Sequence, residues 1–426
     1  MGSRDLSDLY DAQLLRDITY ADRFALRGTT AAEKRAIRNV WLNDLLLTEH
    51  RLPPISQTGA VFFRSLVRDD YKGLFHAVIQ ASGIRDYVVF EDYQHRPRPP
   101  RLNIAASRFM NDHAELFDVL DMDDPLERAC CFIRVCKYGF ILDHLRRMTF
   151  KALICFADMQ PVEHLLTRYF RKRGVTTVTL QHGLYVDYGD MDTVNVINYA
   201  HQYSQYFLSW GPNTSELIAR HRPNTTTVDC GKPLIFSADP ASPAAGNRPY
   251  IAVFLEQKIF NAQNEKMLEI VLAHARDTGR AVTVRFHPSI KKQDFFDKFP
   301  EIREQLHFTD AEFVVGHTTS LIYEALSLGC RVLRYDSEIP GIPLPADSTF
   351  RSLTDLKACL SLPQPQNLAQ NYFSATGEAA LQQLAAEAGS EPRLRVELLG
   401  HQHRRARRKA RHHRLVHHVQ RRLAHQ

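Results

Sequence analysis

Short apolar runs and amphipathic stretches take turns along most of the chain. KALICF (151–156), VTTVTL (175–180), YFLSW (206–210) and TTTVDC (225–230) are rich in β-branched and aromatic residues and show little polar alternation. That is the pattern of strands covered on both faces. DYVVFED, after Gly83, reads the same way. Between these runs apolar residues recur every three or four positions, which predicts helices over Tyr71–Ala81, near 104–118, over 124–147 and over Asn213–His221. PVEHLLTRYFRKRG is a further helix, with Pro161 in its first turn and Gly174 closing it. Strand, helix, strand, helix is the order of a doubly wound parallel sheet.

The same order returns later in the chain. YIAVFL (250–255), AVTVRF (281–286), EFVVG (312–316) and CRVLRY (330–335) read as strands. Asn261–Thr278 is a helix stopped by Gly279, and SLIYEALSLG a shorter one. The expected fold class is therefore α/β, with two Rossmann-like doubly wound domains. Residues 1–59 form an N-terminal helical elaboration, including a helix over 30–48 capped by Thr29 or Thr30. Residues 60–235 make the first domain, and the Pro/Ala/Ser/Gly-rich stretch 236–248 reads as a linker. Residues 249–365 make the second domain. Residues 366–400 hold a last helix, 375–389, expected to pack back across the domain junction, and 401–426 form a basic tail.

Composition narrows the class. With 426 residues, 44% of them hydrophobic and 24% charged, the chain suits a two-domain globular enzyme. No run approaches the roughly 20 apolar residues of a membrane-spanning helix. The N-terminus carries an early acid and no apolar core, so no secretory signal is expected. Leu6 stands where a myristoylation signal needs Ser or Thr. The seven cysteines lie in apolar contexts without zinc spacing, which points to reduced, buried thiols and a cytoplasmic protein. The net charge of +6 is uneven: 401–426 holds nine Arg or Lys and no acid, leaving the rest at about −3.

In open parallel sheets, ligands bind at the carboxyl ends of strands, beside helix N-termini. Three motifs occupy such positions. Gln181-His182-Gly183 leaves VTTVTL. Gly183 could let the backbone turn sharply or approach a ligand closely, and a neutral His182 imidazole could take a proton from a hydroxyl. Otherwise His182 simply bonds a neighbouring loop. Arg285-Phe286-His287-Pro288-Ser289 leaves AVTVRF, with Pro288 fixing how His287 projects. His287 either contacts a phosphate and stabilises a leaving nucleotide, or is a structural histidine beside a turn proline. Gly316-His317-Thr318-Thr319-Ser320 opens a helix, as an anion site does and as an ordinary Ser/Thr cap also does.

Lesser candidates surround these. Glu324, one turn beyond Ser320, could hold a ribose hydroxyl pair or sit in solvent. Lys258, with Glu256 and Gln257, follows YIAVFL where it could offset phosphate charge, as could Arg285. Asp190-Met191-Asp192 mimics a DxD metal motif but follows no suitable strand, so no metal is expected.

QHG in the first domain, HP after a second-domain strand and TTS opening a helix together resemble bacterial surface-polysaccharide transferases over roughly residues 150–340. The resemblance is to capsule sialyl- and Kdo-transferases and to CDP-glycerol glycerophosphotransferases of teichoic-acid synthesis. It implies the GT-B fold, two Rossmann-like domains facing across a cleft, and a metal-independent, inverting glycosyltransferase with a nucleotide-activated sugar, CMP- or UDP-linked, as substrate and no further cofactor. It implies that His182 matches the acceptor-side histidine, His287 the HP histidine, and Thr319 with Ser320 the pair on the donor phosphate. The chain departs from these families in having Thr-Thr-Ser where they often have Ser-Ser, and QHG where sialyltransferases place an acidic base. Asp158 and Asp187 stay as alternatives to His182.

The acceptor implied is a polysaccharide or lipid-linked glycan. Leu415, Val419 and Leu423, with Val416 alongside, put an apolar stripe on the basic tail, which fits an anionic leaflet and a peripheral place on the inner face of the plasma membrane. Nucleic-acid binding and a solvated tail are the competing readings, the former opposed by the acidic body. A CDP-polyol phosphotransferase and a sugar-nucleotide epimerase are the alternative activities.

Overall fold

The computed structural model describes residues 6–92, 96–97, 102–232, 249–364 and 367–374. Among them the chain builds two six-stranded parallel sheets. A two-residue antiparallel pair, β1 (Thr48–Glu49) with β4 (Arg96–Pro97), stands apart from both.

The first sheet uses β2 (Ala60–Arg64), β3 (Tyr87–Glu91), β5 (Ala152–Phe156), β6 (Thr176–Leu180), β7 (Tyr206–Ser209) and β8 (Thr226–Asp229), in the order β3-β2-β5-β6-β7-β8. The second uses β9 (Tyr250–Phe254), β10 (Ala281–Arg285), β11 (Arg303–Glu304), β12 (Phe313–Gly316), β13 (Val332–Tyr335) and β14 (Thr349–Phe350), in the order β11-β10-β9-β12-β13-β14. Central strands such as β5 and β9 are buried at every position, which is why they read as unbroken apolar runs.

The helices are α1 (Ala12–Leu26), α2 (Ala31–Leu46), α3 (Asp69–Ala81), α4 (Ile104–Asp112), α5 (Leu116–Val119), α6 (Pro125–Leu145), α7 (Pro161–Lys172), α8 (Ile197–Ala200), α9 (Pro212–His221), α10 (Asn261–Thr278), α11 (Lys292–Lys298), α12 (Leu321–Ser327) and α13 (Leu353–Ser361). Capping matches the sequence: Thr30 and Glu33 form a reciprocal capping box on α2, and Gly279 closes α10 in the left-handed region at φ 67°.

The N-terminal elaboration has a structural role that the sequence left unread. Leu14, Leu15 and Ile18 of α1 join Cys131, Val135 and Tyr138 of α6 and Leu165 of α7 in one apolar cluster, which also takes in Val61, Phe63 and Leu153 of the sheet. The elaboration is thus an outer layer over one face of the first sheet. Tyr138 donates to Asp22, and Arg134 pairs with Asp22 at 3.2 Å, so the buried Asp22 carboxylate is matched. All seven cysteines are free and buried.

The other face of the first sheet shares a continuous core with the second domain: Phe156, Leu208 and Trp210 belong to the same cluster as Tyr250, Phe254, Ile322 and Tyr323. Residues 367–374 return to the first domain. Ser374 N–H donates to the Trp210 carbonyl at 2.8 Å, Phe373 packs on Trp210, and Tyr372 donates to the Pro343 carbonyl at 2.6 Å. The predicted linker 236–248, the closing helix 375–389 and the tail 401–426 lie outside the described residues.

Candidate active site

Strand order alone singles out two crevices. In the first sheet the chain runs from β2 outward to β3, then returns to β5 on the other side of β2. In the second it runs from β9 through β10 to β11, then returns to β12 on the other side of β9. Such a reversal leaves a crevice at the strands' carboxyl ends where no crossover connection covers it, and ligands bind there. The crevices are bordered by Ser65–Arg68 with Ala157–Asp158, and by Glu256–Lys258 with His317–Ser320. His182 and His287 each stand one strand away, after β6 and β10.

In the second domain a ring of hydrogen bonds joins the ends of β9 and β12. The Asn264 amide donates to the Glu256 carbonyl, and Glu256 N–H donates back to Asn264 Oδ1, both at 2.9 Å. His317 Nε2 lies 2.9 Å from that same oxygen and must therefore donate to it. Its Nδ1 is left to accept from the Thr318 hydroxyl at 3.1 Å. Burial, helped by the Arg334 charge, lowers the His317 pKa to about 4, so the ring is neutral. The one hydroxyl proton of Thr318 is shared between His317 Nδ1 and the Glu256 carboxyl, whose pKa burial raises to about 6 against the opposing bonds from Gln257 N–H and Thr318.

His287 is set with equal definition. Ser289 N–H donates to Nδ1 at 3.1 Å, and the Ser289 hydroxyl lies 2.8 Å from the same nitrogen. A backbone N–H can only donate, so Nδ1 is the acceptor and the neutral ring carries its proton on Nε2. Burial, with Arg68 of the first domain adding its charge, lowers the His287 pKa. The result is a neutral N–H donor. Lys258 is exposed, and its backbone N–H reaches the Ser289 hydroxyl at 3.1 Å, tying this loop to the end of β9. Arg285 is half-buried at the end of β10.

In the first domain His182 is half-buried, with Nδ1 2.9 Å from the Tyr185 phenol and Tyr71 edge-on at 5.7 Å. Arg68 stacks over the same Tyr71 ring at 4.2 Å and donates to its hydroxyl at 3.0 Å. Arg68, Tyr71 and His182 therefore form one run of side chains along this rim. The loop bearing Arg68 is anchored from below: Glu163 accepts from the Ser65 N–H and hydroxyl, each at 2.7 Å, and buried Arg64 pairs with Glu91.

Several sequence candidates turn out to be occupied. Gln181 is buried and fully bonded, donating to Gly183 and Thr214 and accepting from Trp210 N–H at 2.6 Å, so it stitches strand ends together. Asp158 is fully buried and accepts from the backbone of Tyr203 and Ser204, which removes it from any acceptor. Asp187 pairs with Arg220 at 3.2 Å and accepts from Gly189 N–H. Gly183 has no positive φ, and a Cβ there would meet open space, so its backbone freedom is not what the turn requires. Of the glycines in the three motifs it is Gly316 that has no room for a side chain, since a Cβ would stand 2.6 Å from Ile322.

Glu324, expected at a ribose or in solvent, is buried against Lys232 at 2.6 Å across the domain junction. Thr319 is buried, while Ser320 stands at the first turn of a helix of only seven residues and makes no capping bond. Of the DxD look-alike, Asp192 pairs with Arg27 at 2.9 Å on the surface and Asp190 is exposed. Among the described residues no three His, Cys, Asp or Glu side chains converge as a metal site. An open hollow of about 480 Å³ lies at the opposite, amino-terminal edge of the first sheet. Its carboxylate, Asp86, is already bonded by Thr58 and Gly59, and none of the strand-end residues lines it.

Arg68, Tyr71 and the network around Glu256 are what motif reading missed. Arg68 and Tyr71 carry no motif, and only strand order reveals that the loop ending at Arg68 and the first turn of α3 border a crevice.

No protein-family model matches the chain, and no curated protein sequence does. Among solved structures it is similar to UDP-GlcNAc 2-epimerase from Methanocaldococcus jannaschii in complex with UDP-GlcNAc and UDP, at 12% identity and a TM-score of 0.48, over 78% of this chain and 99% of that one. It is likewise similar to UDP-N-acetylglucosamine 2-epimerase from Rickettsia bellii, at 13% identity and a TM-score of 0.47, over 78% and 96%. A third is the glycosyltransferase SnogD from Streptomyces nogalater, at 13% identity and a TM-score of 0.42, over 79% and 100%.

Proposed function

We propose that the chain is a sugar-nucleotide enzyme of GT-B type: a glycosyltransferase that moves a sugar from a nucleotide-activated donor to a surface-glycan acceptor. The observation that carries this reading is the meeting of the two sheets' carboxyl ends around complementary groups. Arg68 and His287, from different domains, are close enough for one charge to depress the other's pKa. A fixed cation beside a neutral N–H donor is suited to the phosphate of a leaving nucleotide, stabilising charge as it develops. In this proposal Arg68 and His287 take that charge without a metal, and Thr318–Ser320 border the nucleotide.

His182 is the proposed base for the acceptor hydroxyl. That role needs the tautomer in which Nδ1–H donates to the Tyr185 oxygen, leaving Nε2 to take the proton. The acceptor is a lipid-linked or polysaccharide glycan met at the inner membrane face, with 401–426 as the anionic-surface contact. Thermal-shift and calorimetric titration of CMP, CDP, UDP and GDP in EDTA test the reading. One nucleotide should bind with a stability gain of about 2.7 kcal/mol at 100 times its Kd. Binding of none of the four, or binding that vanishes on chelation, would overturn it.

Epimerisation is the second reading, favoured by the half-buried Glu256 carboxyl near the Tyr188 phenol, since an epimerase needs proton-exchanging groups around the sugar. Release of an epimerised sugar with no acceptor present would decide for it.

A further inference from the structure

Glu256 is the carboxylate that the strand order puts at the crevice of the second sheet, and phosphate chemistry gives it no task. An anion at that point repels a phosphate. Yet the surroundings hold it in place. Its backbone is gripped on both sides by Asn264, its own carboxyl accepts from Gln257 N–H at 3.0 Å, and Thr318 bonds it from the end of β12. Asn264 is fully buried and its oxygen is shared with the buried His317, so the support is rigid. The residue is only partly buried, unlike Asp158, Glu163 or Glu324. Tyr188 of the first domain lies close enough to sense its charge.

A fixed, incompletely buried carboxylate beside a hydroxyl, near Tyr188 of the other domain, is an acceptor for O–H groups. Resting on the sugar-nucleotide reading above, we propose that Glu256 reads the sugar: its carboxylate accepts hydrogen bonds from hydroxyl groups of the sugar carried by the nucleotide. Arg68 and His287 then take the phosphate, and the donor lies along the crevice with its sugar toward Glu256 and Tyr188. An ionised carboxylate accepts at both oxygens, whereas its protonated form gives up part of that capacity. The titratable groups around it are Tyr188 from the loop after β6, His317 at the end of β12, Lys258 on its own loop and His287 at the end of β10. His317 is neutral down to about pH 4 and the Tyr188 phenol is raised to about 12. With Glu256 at about 6, the sugar's contribution to binding is present above that pH and lost as pH falls through it.

The experiment compares each nucleotide with its sugar- or polyol-bearing form: UDP with UDP-GlcNAc, CMP with CMP-sialic acid, CDP with CDP-glycerol and GDP with GDP-mannose, by calorimetry between pH 5 and 8. Wild type and Glu256→Gln are measured side by side, with unfolding curves to confirm equal stability. For the pair that binds wild type, Glu256→Gln should keep the bare nucleotide within about twofold and lose the sugar nucleotide by about tenfold or more. It should also lose the fall in sugar-nucleotide affinity between pH 7 and 5. Glu256→Asp, which keeps the charge on a shorter arm, should lie between the two and retain the pH dependence. Equal loss of both ligands makes Glu256 a support of the nucleotide site and overturns the proposal, as does loss of neither. Binding of no ligand by wild type removes the sugar-nucleotide reading itself, and the proposal with it.

Discussion

Lys232 and Glu324 form a buried ion pair, 2.6 Å apart, across the junction of the two domains, and Lys232 also lies over the Trp210 ring at 4.9 Å. Lys232 ends the described part of the first domain and Glu324 stands on α12, so the pair links the two halves beneath the candidate site. Removing one member strands the other charge. Lys232→Met should therefore destabilise the protein by about 3–5 kcal/mol, and combining it with Glu324→Leu should recover most of that. Urea unfolding of both variants checks it; a single-variant cost below about 1 kcal/mol would mean the pair is open to water.

Gly211 → Ala tests the returning segment. The backbone there is extended, so φ is no obstacle, but a Cβ would stand 2.5 Å from the Tyr372 carbonyl oxygen and 2.9 Å from Phe373 N. Two stretches of backbone cannot yield as a flexible side chain does. The substitution should cost about 1–3 kcal/mol and expose the Tyr372–Phe373 bond to limited proteolysis. Unchanged unfolding and unchanged cleavage would show that 367–374 does not dock in solution.

The two histidines should fail differently. His287→Ala removes the Nε2–H donor, so it should weaken nucleotide binding and slow even donor hydrolysis by water. His182→Ala should leave nucleotide affinity within about threefold and cut transfer by about 10²–10⁴, the range of a lost general base. Steady-state transfer together with nucleotide titration separates them. Asp158 and Asp187 are engaged elsewhere, so near-normal transfer by His182→Ala would move the search for a base to Glu256.

Glu163 makes stability depend on pH. Burial raises its pKa from 4.5 to about 8, so the folded state holds the proton more tightly than the unfolded one. Its stabilising contribution is full below about pH 4.5 and is lost as pH rises toward 8. Glu163→Gln keeps an acceptor for the Ser65 N–H and has no such titration. Urea midpoints at pH 5, 7 and 9 should shift in favour of the variant as pH rises. Parallel curves would place the Glu163 proton in water's reach.

Residues 401–426 carry nine fixed positive charges. Their deletion should release the protein from anionic vesicles while leaving turnover on a short soluble acceptor nearly unchanged. The attraction decays over about 8 Å at physiological salt, so binding should weaken steeply as salt is added. Co-sedimentation with neutral and anionic vesicles at two salt concentrations checks it. Equal binding to both lipids, or tight RNA binding in its place, would overturn the membrane role.

Periodicity carried the architecture. KALICF and YIAVFL are apolar throughout because a central parallel strand is covered on both faces, and that need leaves the same mark in any sequence. Asn261–Thr278 with Gly279 was legible down to its last residue, because a left-handed cap selects glycine locally. Candidate chemistry was legible only where a motif left a strand, as at His182 and His287. The sequence could not reveal which side chains already had partners. Gln181 beside His182 and Glu324 beside the TTS turn looked available, yet Trp210 and Lys232, 29 and 92 positions away, hold them. Nor could it single out Arg68, or the bonds that hold Glu256 in place, since strand order decides which loops border a crevice. Backbone propensity and burial pattern act within a few residues, so the chain records them directly. Whether a polar group is satisfied, and which loops share a crevice, depends on contacts between distant segments, and only the folded chain decides those.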